Sequence, residues 1–385
     1  MIKRVILQSA KESLTQFRAL CITGPRQSGK TTLSRLLCPD KAYINFESPA
    51  IEQEALLDIE KFLNQYKNGA ILDEVQRVPE LLRYLQVILD KNTKRGQFIL
   101  TGSNNFLLQE QISQSLAGRA GYISLLPLSY AELKDAKLDE DNFLKHILTG
   151  GYPEIWQEKL KPEIWMNSYI QTYVQRDVRL LKNINNLAAF SRFLFLCANY
   201  AGQALNREEL AKQVGVDTKT ILSWLGVLES SYIIFLLQPW HNNLNKRILK
   251  SPKLYFLDTG LLCRLLGIAN ITNLQKHHAY GALFENWIIS EIKKNNFNRG
   301  ISDEMYYFRD SAGNEIDLVY EKDGRPLAIE IKAAKATTTS MFSGIRYWQK
   351  NNFYHKQSML VYGGNKTEPL NEHTSIISWK DIGDI

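Results

Sequence analysis

A glycine-rich stretch close to the amino end has the residue types and spacing that phosphate binding requires. Residues 24–31 read Gly-Pro-Arg-Gln-Ser-Gly-Lys-Thr, which is the pattern G-x-x-x-x-G-K-T. Glycines at both ends allow the backbone to turn its N–H groups toward phosphate oxygens. We expect Lys30 to reach the β- and γ-phosphates of a nucleoside triphosphate, and the Thr31 hydroxyl to bind Mg²⁺. The predicted binding residues are Gly24, Pro25, Arg26, Gln27, Ser28, Gly29, Lys30, Thr31 and Thr32.

Two carboxylates follow the apolar run Ala70-Ile71-Leu72. Asp73 is expected to orient the Mg²⁺ ion, and Glu74 is expected to act as the general base on the attacking water. The alternative is a buried strand that ends in a solvated acidic turn. The phosphate-binding pattern upstream favours the catalytic interpretation.

Two further side chains are candidates for the same site. Asn104 directly follows the predicted strand 98–103, so it could contact the water or the γ-phosphate. Arg119 follows Gly118 and precedes the predicted strand 122–125. It could act as an arginine finger on the nucleotide of a neighbouring subunit, or it could be an ordinary surface arginine.

A second group of charged residues lies near the carboxyl end. Asp317, Glu330 and Lys332 come from two neighbouring predicted strands, and Glu285 comes from the preceding helix. Such carboxylates could bind Mg²⁺ and activate water, with Lys332 stabilising the developing charge. The alternation in residues 315–320 predicts Ile316, Leu318 and Tyr320 on one face, and Glu315, Asp317 and Val319 on the other. A solvated polar face of a hairpin is the alternative.

The elements that must hold the first site alternate between short apolar strands and amphipathic helices, one of them predicted over residues 51–65. This alternation predicts an α/β fold with a parallel sheet covered on both faces. A long helix is predicted over residues 165–181, and its Arg176 or Arg179 could approach the γ-phosphate or simply pair with Asp177.

The middle of the chain carries a predicted helix-turn-helix. Ala211, Gly215 and Ile221 have the required spacing, and Asp217 or Thr218 would cap the second helix. Two predicted strands follow, with a basic hairpin between them, so a winged helix is expected. Either DNA contact or protein packing would explain it. The basic residues are Lys219 on the second helix and Lys246, Arg247, Lys250 and Lys253 at the hairpin.

Composition bounds the class of protein. The 385 residues carry a net charge of +7, which is compatible with nucleic acid, and 44% of them are hydrophobic, as in soluble globular proteins. The four cysteines are scattered and predict neither a disulfide nor a metal site. No apolar run approaches the ~20 residues of a membrane span, so we expect no membrane partner and a cytoplasmic protein.

Taken together, these motifs resemble known families. Lys30, Thr31, Asp73 and Glu74 resemble the nucleotide site of AAA+ ATPases, with Asn104 as the sensor and Arg119 as the finger. The C-terminal group resembles the PD-(D/E)-x-K nuclease core, although Ile316 stands where the leading proline would be. The whole chain resembles bacterial and archaeal ATP-binding proteins with a C-terminal region called DUF4143.

The resemblance implies ATP and Mg²⁺ as ligands and four consecutive domains. We expect an AAA+ core over residues 1–126, a helical lid over 127–183, a winged helix over 184–265 and a restriction-endonuclease-like α/β domain over 266–385. Three functions stay open: an ATPase that controls a DNA-related C-terminal domain, a nucleotide-dependent protein-binding switch with an inactive nuclease-like domain, and a transcription regulator. Double-stranded DNA and, through Arg119, a second copy of the chain are possible partners.

Overall fold

A computed structural model shows two sheets connected by a helical middle region. It describes residues 2–102, 115–172, 186–240, 251–301, 304–322, 324–351 and 356–385. Asn104, Arg176, Arg179, Lys246, Arg247 and Lys250 lie outside the described residues.

The first sheet contains five strands in the order β2-β3-β4-β1-β5, and each of its pairings is parallel. The predicted parallel sheet is therefore confirmed. Its strands are β1 (Ala19–Thr23), β2 (Ala42–Asn45), β3 (Ala70–Asp73), β4 (Phe98–Gly102) and β5 (Ala120–Ser124). Its helices are α1 (Leu7–Gln16), α2 (Lys30–Leu37), α3 (Pro49–Leu57), α4 (Ile59–Asn64) and α5 (Leu81–Lys91), and a 3₁₀ turn covers Val75–Arg77.

The helix predicted over residues 51–65 is wrong in one respect, because it is interrupted at Asp58. This residue ends α3 in an extended conformation and begins α4. Its side chain accepts a hydrogen bond of 2.9 Å from the backbone N–H of Lys61. A residue that caps a helix has a non-helical backbone, so Asp58 separates two helices. The apolar residues keep their helical spacing on both sides of it, and for this reason the pattern suggested one continuous helix.

The middle region is helical. It contains α6 (Tyr130–Asp135), α7 (Phe143–Thr149), α8 (Pro153–Gln157), α9 (Pro162–Tyr169), α10 (Leu187–Asn199), α11 (Arg207–Val214) and α12 (Thr218–Ser230). Between α11 and α12, Gly215 adopts a left-handed φ of 82°, and Asp217 caps α12 by accepting the N–H of Thr220 at 2.7 Å. The antiparallel strands β6 (Ile234–Pro239) and β7 (Lys253–Phe256) follow.

These two strands are part of the second sheet rather than a separate hairpin. That sheet contains eight strands in the order β12-β13-β11-β10-β9-β8-β6-β7. Its other strands are β8 (Met305–Arg309), β9 (Glu315–Lys322), β10 (Arg325–Lys332), β11 (Ser358–Tyr362), β12 (Glu368–Asn371) and β13 (Thr374–Ser378). The remaining helices are α13 (Thr259–Leu265), α14 (Ile271–Lys276), α15 (Tyr280–Arg299) and α16 (Ser343–Asn351), with 3₁₀ turns at Thr339–Phe342 and Trp379–Asp384.

Strand β9 departs from the alternation that its sequence predicts. Ile316 and Val319 pack in one apolar cluster, whereas Leu318 and Tyr320 belong to the main core. The pairing with β8 shifts at this point, because Tyr306 faces Val319 but Phe308 faces Ile316. An extra residue in a strand changes which side chains share a face, so the predicted Ile316–Leu318–Tyr320 face is wrong.

Helix α15 is buried along most of its 20 residues, polar ones included. Its Asn286 donates to and accepts from the backbone of Phe256, and its Glu291 accepts the N–H of Tyr130. The helix is therefore packed between the middle region and the second sheet. No helix in the described ranges has both the length and the apolar character needed to cross a membrane.

Candidate functional site

The glycine-rich loop lies between the end of β1 and the start of α2. Gly24 and Gly29 have φ values of 147° and 96°, which disfavour residues that carry a Cβ. A Cβ on Gly24 would also lie 2.2 Å from the carbonyl oxygen of Leu125. The loop therefore needs glycine for both conformation and space.

Lys30 is buried inside this loop. Its ammonium donates to the carbonyl oxygens of Gly24 at 3.0 Å and Pro25 at 2.9 Å. Burial lowers the pKa of Lys30, and the charges of Glu74 and Asp73 oppose that effect. The loop carbonyls thus hold the buried ammonium in place.

Asp73, the last residue of β3, is a centre of hydrogen bonds. Its Oδ2 accepts from the Thr31 hydroxyl at 2.9 Å and from the Tyr43 hydroxyl at 2.5 Å, and its Oδ1 accepts from the Thr101 hydroxyl. Burial and the bond to Asp73 raise the pKa of Tyr43 to about 12. A carboxylate oxygen beside a threonine hydroxyl is the donor set that suits Mg²⁺.

Glu74 has a left-handed backbone with a φ of 58°, which is rare for a residue with a side chain. Its N–H points to the Thr101 hydroxyl at 3.3 Å, and its carboxylate accepts a hydrogen bond from Gln76. The side chain lines the cavity beside the loop. Strained backbone of this kind is common where a side chain must be aimed at a site.

The cavity has a volume of about 660 Å³, within the range of small-molecule sites. One wall contains the loop residues and Glu74. Another part of the lining comes from the middle region. Its residues there are Pro153, Glu154, Gln157, Tyr169 and Thr172. A ligand in the cavity would therefore contact both parts of the chain.

Arg4 connects the loop to the start of the middle region. Its guanidinium donates to the carbonyl oxygens of Ser28 at 2.8 Å and Leu126 at 2.7 Å, and to Glu132 at 2.9 Å. Glu132 also completes a capping box with Ser129 at the start of α6. Arg4 thus ties the loop to the start of the middle region through three hydrogen bonds.

Arg119 lies away from the cavity formed by its own chain. It precedes β5, whereas the loop follows β1, and these strands are parallel, so the two positions are at opposite edges of the sheet. Its guanidinium forms a two-point pair with Asp90, with N–O distances of 2.6 and 2.9 Å. Asn104, the predicted sensor, is among the residues not described.

The C-terminal candidates meet at strands β9 and β10. The ammonium of Lys332 lies 3.0 Å from Asp317 and 2.7 Å from Glu330. Asp317 also accepts the backbone N–H of Ile331 at 2.8 Å. Burial and then the charge of Asp317 raise the pKa of Glu330 to about 8. For Asp317 itself, burial is outweighed by Lys332 and Lys253, and its pKa is lowered.

Glu285 lies on the other side of this group, in contact with Lys253 and Tyr255. Its Oε1 accepts from the Tyr255 hydroxyl at 2.5 Å and from the Lys253 ammonium at 3.3 Å. Burial and the charge of Asp317 raise the pKa of Glu285 to about 7. Lys253 also contacts Glu315 at 2.5 Å.

The carboxylates are oxygen donors of the kind that Mg²⁺ prefers, but lysines lie between them. Within the part of the chain that is described, no group of three or more His, Cys, Asp or Glu side chains is arranged to hold a metal ion. The physical reason is that each carboxylate turns toward an ammonium. Glu285, Asp317, Glu330 and Lys332 are thus brought together as an ion-pair network.

The interpretation of Lys253 as part of an exposed basic hairpin is wrong. Its side chain is buried among the carboxylates and is not available to a DNA backbone. Lys219, in contrast, is exposed on α12. The sequence gives no local sign of this difference, since the partners of Lys253 lie 32 or more residues further along the chain.

Sequence reasoning also missed four residues of the candidate nucleotide site. Arg4, Tyr43, Thr101 and Tyr232 all contact the loop, Asp73 or the strand that precedes the loop. Thr101 could have been found, because it is polar and lies one residue before the end of β4, the strand next to β3. The others lie in stretches without any motif.

Comparison with protein families divides the chain into three matched segments. The model of an AAA domain matches residues 16–134. A domain of unknown function, DUF8612, matches residues 140–272, and another, DUF4143, matches residues 280–382. The predictions of an AAA-type domain and of a C-terminal DUF4143 region are confirmed.

Similar proteins occur in mycobacteria. The uncharacterised proteins Rv2008c of Mycobacterium tuberculosis and Mb2031c of Mycobacterium bovis are each 31% identical over 94% of this chain and 80% of their own length. Among solved structures, the Walker-type ATPase PABY2304 of Pyrococcus abyssi matches 68% of this chain and 94% of its own, with 17% identity and a TM-score of 0.46. The chain belongs to the same family as the two mycobacterial proteins, and its own domain order is an AAA domain followed by DUF8612 and DUF4143.

Proposed function

We propose that the chain is a Mg²⁺-dependent ATPase. The observation that carries this proposal is the convergence of Lys30, Thr31 and Asp73 at one edge of the parallel sheet, with Glu74 in the same cavity. The AAA domain match favours ATP as the nucleotide.

The residues have separate roles in the proposed reaction. Lys30 exchanges its two carbonyl partners for the β- and γ-phosphates, and loop N–H groups bind the remaining oxygens. Thr31 and Asp73 hold Mg²⁺, which offsets phosphate charge. Glu74 accepts a proton from the attacking water as the bond between the β- and γ-phosphates breaks, which yields ADP and phosphate.

The test of this function is Lys30→Ala. We expect ATP turnover to fall on the order of a hundredfold or more, because the substitution removes a charge that stabilises the transition state. The exposed Lys61 provides the matched control, and Lys61→Ala should retain wild-type turnover. Undiminished hydrolysis by Lys30→Ala would remove the basis of the assignment.

Arg119 is proposed to complete the site of a second copy of the chain. Its position at the end of the sheet opposite to the loop supports action outside its own subunit, and its guanidinium would have to leave Asp90 to reach a neighbouring nucleotide. Arg119→Ala should lower turnover most at protein concentrations where the chain self-associates. A proportional loss at every concentration would instead indicate a role within one subunit.

A second candidate activity is Mg²⁺-dependent cleavage of double-stranded DNA at Asp317, Glu330 and Lys332. The meeting of an aspartate, a glutamate and a lysine on adjacent strands supports it. In this proposal the predicted lid over residues 127–183 and the predicted winged-helix segment over 184–265, whose strands β6 and β7 join the second sheet, pass the nucleotide state to the domain over 266–385. The core over residues 1–126 supplies that state.

Incubation with plasmid DNA and Mg²⁺ or Mn²⁺ separates this activity from the alternative of a protein-binding switch. Wild-type cleavage that Asp317→Ala abolishes would support the nuclease. Absence of cleavage would favour the switch, in which the same carboxylates remain paired with lysines. Tight, salt-sensitive duplex binding without cleavage would indicate a transcription regulator instead.

A further inference from the structure

Lys253 reaches the C-terminal carboxylates from a different part of the chain. It is the first residue of β7 and lies opposite Leu237 of β6, within the segment that matches DUF8612. The carboxylates that it contacts lie within the DUF4143 match. The C-terminal carboxylate site is therefore built from both the DUF8612 segment and the DUF4143 segment.

Carboxylate oxygens surround the Lys253 ammonium, as they would surround a bound metal ion. Lys253 is 3% exposed, and its side-chain nitrogen lies 2.5 Å from Glu315 and 3.3 Å from Glu285. The Tyr255 hydroxyl contacts the same oxygen of Glu285 at 2.5 Å. A buried ammonium is tolerated because carboxylate oxygens replace its water.

The charges around Lys253 show what its removal would leave. The carboxylates are Glu285, Glu315, Asp317 and Glu330, and the cations in contact with them are Lys253, Lys332 and Arg309. At a pH above about 8, where Glu285 and Glu330 are both ionised despite their raised pKa values, four negative charges face three positive ones. Without Lys253 two negative charges are left in excess, which a single divalent cation would balance.

We propose that Lys253 belongs to the carboxylate site as its internal cation, and that it competes with a divalent metal for Glu285 and the neighbouring carboxylates. This inference rests on the metal role proposed for Asp317 and Glu330. It adds that the wild-type protein binds the metal weakly, since binding must displace an ammonium already in place. Withdrawal of Lys253 converts the ion-pair network into a metal site.

The test is titration of the full-length, nucleotide-free protein with Mn²⁺, followed by electron paramagnetic resonance. Lys253→Met should bind Mn²⁺ on the order of tenfold more tightly than wild type, because the competing charge is gone. Adding Glu330→Gln to Lys253→Met should abolish the gain. Lys294 is the matched control, since it is also 3% exposed but pairs with the single carboxylate Glu291 at 2.7 Å. Lys294→Met should bind Mn²⁺ as wild type does.

Lys253→Met could lose stability, so melting temperature with and without Mn²⁺ is measured in parallel. We expect Mn²⁺ to raise the melting temperature of Lys253→Met more than that of wild type. Equal or smaller shifts, or equal affinities, would overturn the proposal.

If wild type loses Mn²⁺ binding on Glu330→Gln while Lys253→Met shows no gain, only the role of Lys253 fails. If no protein binds Mn²⁺ in a manner that depends on Glu330, the metal role of the carboxylates fails as well. Neither result bears on ATP hydrolysis.

Discussion

The hydroxyl of Tyr232 lies 2.7 Å from the Thr23 hydroxyl, although the two residues are 209 positions apart in the chain. Thr23 ends β1 and directly precedes Gly24, the first residue of the phosphate loop. Tyr232 also lies 3.0 Å from the Ser124 hydroxyl at the end of β5. Two residues later the chain enters β6, the partner of the strand that carries Lys253. A single side chain thus connects the nucleotide loop with the second sheet.

Tyr232 is held in place at a cost in backbone conformation, since its φ is 57°. We expect Tyr232→Phe to lower kcat/KM for ATP about fivefold, equivalent to a lost hydrogen bond of about 1 kcal/mol. Steady-state turnover measures this, with the exposed Tyr84→Phe as control. A lower melting temperature with unchanged kinetic constants would show that the contact only stabilises the fold.

Gly24→Ala should abolish nucleotide binding. A Cβ there would meet the Leu125 carbonyl oxygen at 2.2 Å while the backbone has a φ of 147°, so the loop must move away from its position. Gly226 in α12 is the control, because a Cβ at that position meets nothing within 4 Å. Gly226→Ala should bind nucleotide normally and gain about 0.5–1 kcal/mol of stability. Fluorescent-nucleotide titration distinguishes the two, and normal binding by Gly24→Ala would contradict the expectation.

Local patterns predicted the parts of the molecule that depend on neighbouring residues. The phosphate loop, the strand that ends in Asp73 and the turn at Gly215 follow from short-range chemistry: glycine at a positive φ, an apolar run and a helix cap. The break at Asp58 needed knowledge that a capping bond outweighs apolar periodicity. The prediction that Ile316 shares a face with Leu318 was wrong because of a bulge. A bulge depends on the pairing with β8, which the sequence of β9 alone does not reveal.

Contacts between distant residues were predicted only where both partners belong to a motif, as Thr31 and Asp73 do. Arg4 meets Glu132 across 128 positions. The basic charge of Lys253 suggested an exposed hairpin. Its burial could not be recognised from neighbouring residues, because its carboxylate partners lie on a helix and a strand far along the chain. Pairing of this kind follows from how the second sheet is assembled, so only the folded structure identifies it.

Gly344 is required by the close approach of α16 to the carboxylate site. A Cβ there would lie 1.9 Å from the Glu330 carboxylate and 2.5 Å from the Glu315 carbonyl oxygen. Gly344→Ala should therefore displace Glu330 from Lys332 and lower stability by about 1–3 kcal/mol. Gly281→Ala, in open space at the start of α15, should not destabilise. Chemical unfolding measures both variants, and equal stabilities would show that α16 can shift without cost.

We expect His146 to make the stability of the fold depend on pH. It is stacked on Trp156 and Trp287 with ring centroids at 5.5 and 6.1 Å, and burial lowers its pKa to about 4. In the unfolded chain the pKa is about 6.5, so between these values the unfolded state binds the proton and the folded state does not. The stabilisation is complete above about pH 6.5 and is lost as the pH falls toward 4, by up to about 1.4 kcal/mol per pH unit.

His146→Phe should remove this dependence while it keeps an aromatic ring in the stack. The free energy of unfolding, measured from pH 7 to pH 4, should fall less steeply for His146→Phe than for wild type. The exposed His278 is the control, and His278→Phe should retain the wild-type slope. Because the acidic side chains titrate in all three proteins, their contribution to the slope cancels in the comparison. Identical slopes for wild type and His146→Phe would show that the imidazole gains access to water, and thus its proton, without global unfolding.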